Sequence, residues 1–147
     1  MLHHRFVFVI GAFFVAAATC AIGRVAFSAP DGKAASASRV FEIRTYTTEP
    51  GRLDALHARF RDHTTKLFEK HGMTNIGYWT PADEPRASDT LIYIIAHPSR
   101  EAAKQNWEGF IGDPEWAKAR DASEADGKIV SKVESVFVNP TDFSPLQ

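Results

Sequence analysis

Residues 90–97 read TLIYIIAH. Almost every side chain is apolar and several are β-branched, which suits a strand, and unbroken apolarity predicts a strand buried on both faces. Such a strand belongs inside a sheet, so the rest of the chain has to supply its partners. Upstream, Met73–Thr80 (MTNIGYWT) reads as one, joined through the polar, proline-containing loop Pro81–Asp89. Arg39–Thr47 (RVFEIRTYT) alternates, with Phe41, Ile43 and Thr45 on one side and Glu42, Arg44 and Tyr46 on the other. Pro50-Gly51 breaks it. Ile129–Val138 (IVSKVESVFV) is the fourth strand, closed by Pro140.

The segments between the strands have helical periodicity. Across Arg52–His71, Leu53, Leu56, Phe60, His63 and Leu67 follow a three-four-three-four series that collects one apolar face, with His63 at its edge looking toward the sheet. Lys70 and His71 suit a last helical turn, and Gly72 suits the position just past it. A second helix starts at Pro98 or Ser99, runs to about Phe110 and ends at Gly112. Asp113-Pro114 opens a third, to about Ala125: aspartate caps free amides, and proline fits the first helical position. The order βαββαβ, with the second helix broken in two, is the ferredoxin-like α+β arrangement, an antiparallel sheet with helices on one face. The other face mixes Val40, Tyr46, Val136 and Val138 with charged groups. A second copy of the sheet is the simplest cover, which predicts a homodimer of the dimeric α/β-barrel type.

Composition narrows the functional classes. The chain has 147 residues, the size of one domain, which excludes a multidomain enzyme. Its formal net charge of -1 gives no basic field for a nucleic-acid partner. A single cysteine, Cys20, forms neither an internal disulfide nor a cysteine zinc cluster.

The first thirty residues read as an address. Arg5 with His3 and His4 forms a short cationic start, residues 6–23 are uncharged and mostly apolar, and Ala26-Phe27-Ser28 offers small residues before a cut. Residues 1–28 are therefore expected to be a signal peptide, or, if uncleaved, an N-terminal anchor through residues 6–23. Ala17, where a lipoprotein signal wants a branched apolar residue, argues against lipidation at Cys20. Residues 29–38 are small and polar, a flexible tether, and 39–147 are the folded domain. The expected location is exported, periplasmic or secreted, with membrane contact only through an uncleaved leader.

Four groups of residues are candidates for chemistry. His63 is a candidate catalytic base or ligand contact, or else a histidine bonded at the margin of the core. Glu42, Arg44 and Tyr46 share one strand face, and Lys132 and Glu134 share a face of the last strand. They read as a polar cluster able to hold an anion, in which the planar fork of Arg44 is the best grip, or as an ion network that fixes register. Tyr78, Trp79, Trp107, Phe110 and Trp116 read as the wall of an apolar pocket or as core. His57, His63, His71 and His97 lack the spacing of a helical metal pair, so no metal is expected. No phosphate loop, dinucleotide fingerprint or nucleophile elbow occurs, and no cofactor is expected.

VFEIRTYTTEPGRL at the first strand, LFEKHGM before the second, IGYW within it, FIGDPEWAKAR at the broken helix and the tail KVESVFVNPTDFSPL together resemble the NIPSNAP family over Arg39–Leu146. That resemblance implies a dimeric α/β-barrel but no settled reaction. The expectation is an exported homodimer binding a small, mostly apolar molecule between sheet and helices, with Arg44, Tyr46, His63, Trp79, Trp107 and Trp116 as ligand contacts. A non-enzymatic protein-interaction module and a cofactor-free small monooxygenase are the alternatives, so whether the chain is an enzyme stays open.

Overall fold

The computed structural model describes residues 39–147. The signal peptide, anchor and tether expected over residues 1–38 lie outside them. Four strands, β1 (Val40–Thr48), β2 (Thr74–Trp79), β3 (Thr90–His97) and β4 (Val130–Val138), form one antiparallel sheet in the order β2-β3-β1-β4. The helices are α1 (Leu53–Arg59), α2 (Thr65–Lys70), α3 (Arg100–Ile111) and α4 (Pro114–Ser123). This is the ferredoxin-like α+β architecture, with β3 and β1 central.

Local chemistry sets the boundaries. Gly72 takes φ 76° immediately after α2, a conformation that costs a residue with a side chain about 1–2 kcal/mol. Ser99 caps α3 by accepting from the Ala102 amide, and Asp113 caps α4 by accepting from the Glu115 amide. The core between sheet and helices is aromatic. Tyr93 and Phe68 are almost wholly buried and pack with Phe60, Tyr46, Tyr78 and Phe110 in edge-on and stacked pairs.

Between α1 and α2 the chain makes one wider turn, a π-helical segment at Phe60–Thr64, where the Thr65 amide bonds to the Phe60 carbonyl five residues back. The extra residue shifts every later side chain around the helix axis. Thr64, not His63, therefore takes the next place on the buried face, and its hydroxyl donates to the Arg59 carbonyl at 3.2 Å. His63 is exposed and turned toward α4, near Ala119 and Ala122. The expectation that it looks toward the sheet is corrected: the 3.6-residue series assumes an unbroken helix, and the wide turn adds one residue to it.

The register divides β1 cleanly. Glu42, Arg44 and Tyr46 face the helices, level with Ile95, Tyr93 and Leu91 of β3 and with Phe137, Ser135 and Val133 of β4. Lys132 and Glu134 pair with Thr47 and Thr45 and so lie on the opposite face, ion-paired to each other at 3.0 Å. They do not join the Glu42–Arg44–Tyr46 group, because a one-residue offset on a neighbouring strand changes the face. The expected double-sided burial of β3 holds fully on the helix side only. On the open side Ile92 and Ile94 stay half-buried, Ala96 is buried, and residues 139–146 line a groove with Phe41, Ile43, Ile94 and Val138.

Candidate functional site

The helix-side face of β1 carries a buried polar network centred on the Glu42 carboxylate, which is 1% exposed. Four groups donate to it. Arg44 Nη1 at 2.7 Å and Ser135 Oγ at 2.5 Å reach Oε1, while Trp107 Nε1 at 2.7 Å and His97 Nε2 at 3.2 Å reach Oε2. Burial alone pushes the carboxyl up, but donors from His97, Ser135, Trp107 and Arg44 together outweigh it and hold the group down at about 2. A carboxylate so fully engaged is not a general base at neutral pH. Its role is to fix its donors in place.

The donors are oriented in turn. Asn106 Nδ2 donates to the Gly72 carbonyl at 3.0 Å and lies 3.3 Å from His97 Nδ1. Turning that amide over would set its oxygen against the carbonyl, so the nitrogen faces both acceptors, and the hydrogen His97 presents to Glu42 sits on Nε2. The Arg44 guanidinium lies 4.3 Å from the centroid of the Trp107 ring and 5.5 Å from that of Tyr46. Two buried donors on the neighbouring positions Arg44 and Tyr93 have no partner among the described residues: Arg44 Nε and the Tyr93 hydroxyl. Burial pushes the Tyr93 hydroxyl well above the ordinary tyrosine range, so it remains a donor.

The helices leave the adjacent strand bare. Val133 and Ser135 of β4 are exposed on the same face as Arg44. At one end of this strip, a cleft of about 490 Å³ lies between Trp107 and Phe137, with Arg100 stacked on the Phe137 ring at 3.4 Å and Lys104 at the rim.

The structure thus brings Arg44, Tyr46 and Trp107 together. Trp116 is tilted against Phe110 and lies beside the buried Arg59. Trp79 lies apart, on the open face of β2, and His63 stands against α4. Most of the aromatic group is core. Arg120 ion-pairs with its neighbour Asp121. Sequence reasoning missed His97, Asn106 and Ser135 as members of the network. The available signal was Glu42 itself, an acid on the helix-facing side of a central strand, which demands donors. Among the described residues, no group of three or more His, Cys, Asp or Glu side chains is placed to hold a metal ion, and no helix is long and apolar enough to cross a membrane.

Comparison with known proteins bears on this architecture. A NIPSNAP family protein from Agrobacterium tumefaciens superimposes with a TM-score of 0.64 at 22% identity, covering 75% of this chain and 95% of that one. A NIPSNAP-like domain protein from Burkholderia xenovorans gives 0.63 at 16% identity, covering 75% and 92%. SnoaB, a cofactor-independent oxygenase from Streptomyces nogalater, gives 0.50 at 13% identity, covering 74% and 98%, a likeness of fold alone. Comparison with curated proteins gives no match. The NIPSNAP family model matches residues 41–145, from the first strand through the C-terminal tail, and this chain belongs to the NIPSNAP family.

Proposed function

We propose that the chain acts as an exported homodimer that binds a small, mostly apolar molecule carrying an oxygen acceptor, in the strip between the helices and β4. The observation behind this reading is the pair of buried, unsatisfied donors on neighbouring strands, Arg44 Nε and the Tyr93 hydroxyl. An unpaired buried donor costs about 1–3 kcal/mol, and a ligand oxygen would offset that cost. Val133, Phe137 and Trp107 supply the apolar surroundings.

The probe is 1,4-naphthohydroquinone, titrated into the full-length protein and followed by tryptophan fluorescence. Tyr93→Phe removes the hydroxyl and keeps the ring in the core. Affinity is expected to fall about tenfold, the value of one buried hydrogen bond. Equal affinity of the two proteins for the probe sinks the reading. Oxygen uptake above the autoxidation rate of the same mixture would move the protein from binding to oxygenase chemistry.

The homodimer rests on the open face. Ile43, Ile92 and Ile94 are half-buried there, and Val136 is 53% exposed. Ile94→Asp is expected to halve the mass measured by light scattering. The same face supports the second reading, an interaction module whose partner is a different protein. A wild-type chain that is monomeric at micromolar concentration favours that reading. Export is tested by the N-terminus of the protein recovered from its host: a start near residue 29 marks cleavage, and an intact start marks an anchor through residues 6–23.

A further inference from the structure

A second concave site lies at the far edge of the sheet. A cleft of about 320 Å³ opens between the π-helical segment and the end of β2. Its floor is Phe60, Tyr78 and Leu91, and its rim carries His57 and Arg61. His57 Nε2 lies 3.3 Å from the Thr80 hydroxyl, which holds the imidazole across the top of β2. Arg61 is exposed and has neither an ion pair nor a side-chain hydrogen bond among the described residues.

Trp79 meets the cleft from the end of β2, while its indole lies on the open face of the sheet, seated by a glycine. A Cβ placed on Gly77 would fall 2.5 Å from the indole Cη2. Gly77 weakens a strand interior, where glycine is disfavoured, but it lets the indole lie back along the strand. The ring is 50% exposed there.

We infer that this cleft is a binding site for a small monoanion with a flat apolar body, such as an aromatic carboxylate. The body lies on the floor of Phe60, Tyr78 and Leu91, and the carboxylate meets the Arg61 fork, with His57 as the neighbouring donor. A guanidinium suits a planar carboxylate because two parallel N–H bonds match its two oxygens. The volume fits one such molecule and sits at the small end of ordinary ligand sites. The site shares no residue with the Arg44 network, and it stands or falls separately.

The test titrates the full-length protein with 2-naphthoate and, in parallel, with the neutral 2-naphthamide, by isothermal calorimetry. The acid is expected to saturate with a dissociation constant of about 1 mM or tighter. The amide binds about tenfold more weakly, since it forgoes the charge-assisted pair. Arg61→Gln removes the preference for the acid while leaving the fold intact. Arg100→Gln, in the other cleft, leaves both affinities unchanged. Absence of saturable naphthoate binding, equal binding of acid and amide, or an unchanged preference in Arg61→Gln would overturn the inference.

Discussion

The indole nitrogen of Trp107 donates to the Glu42 carboxylate at 2.7 Å, across 65 residues of chain. That bond ties α3 to the central strand and places the ring against Arg44. The two ends of the bond are not equivalent in energy. Trp107→Phe leaves a buried acceptor short of one donor, a loss of about 1–3 kcal/mol in denaturant unfolding. Glu42→Ala leaves the Arg44 guanidinium buried without its counter-charge, which costs about 3–5 kcal/mol. A double-mutant cycle should give well below the sum, because both changes dismantle one network.

The same carboxylate sets a limit on acid stability. Its folded value, about 2, lies below the ordinary 4.5. A depressed carboxyl contributes stability that is complete above its unfolded value and lost as pH falls through the folded one. Asp113 acts in the same direction, held low first by His71 at 2.7 Å and then by Lys70. The unfolding midpoint is therefore expected to be insensitive to these two groups above about pH 4.5 and to fall between there and about pH 2. Glu42→Gln should flatten that fall while lowering the plateau.

The wide turn at Phe60–Thr64 separates two adjacent residues. His63→Ala, on the exposed side, should change stability by no more than about 0.5 kcal/mol. Thr64→Ala removes a buried hydroxyl bonded to the Arg59 carbonyl and leaves a small void, a loss of about 1–2 kcal/mol. Chemical denaturation of both variants checks the order, which an unbroken helix would reverse.

Gly72 has a double role. Its positive φ makes Gly72→Ala strained by about 1–2 kcal/mol. The new methyl also comes within 3.3 Å of the Asn106 amide oxygen. Asn106 orients His97, so the substitution should also loosen the ring, seen as faster solvent exchange of the His97 Nε2 proton by NMR.

The strands and the break between α3 and α4 were legible because their signals are local. Alternation in residues 40–47, the apolar run at 90–97 and the Asp-Pro start at 113 each act within a few residues. The candidate site was only half legible. Arg44, Tyr46 and Trp107 were identifiable as types, yet their company depends on register and on helix phase. One residue of register sends Lys132 and Glu134 to the other face, and one residue of extra turn sends His63 away from the sheet. Neither shift leaves a mark in composition or periodicity. Ser135 and Asn106 carried no signal of their own, since each gains meaning only beside a buried acid.

The Lys132–Glu134 pair, idle as far as any ligand is concerned, has a consequence for solubility. β4 is one of the two outer strands, and among the described residues a row of its backbone amides and carbonyls has no neighbour. A bare edge of this kind invites another chain to extend the sheet without end. Two opposite charges on alternate residues make a foreign apolar strand a poor fit there. Neutralising both, as in a Lys132→Val, Glu134→Val protein, should make the chain more prone to fibrous growth.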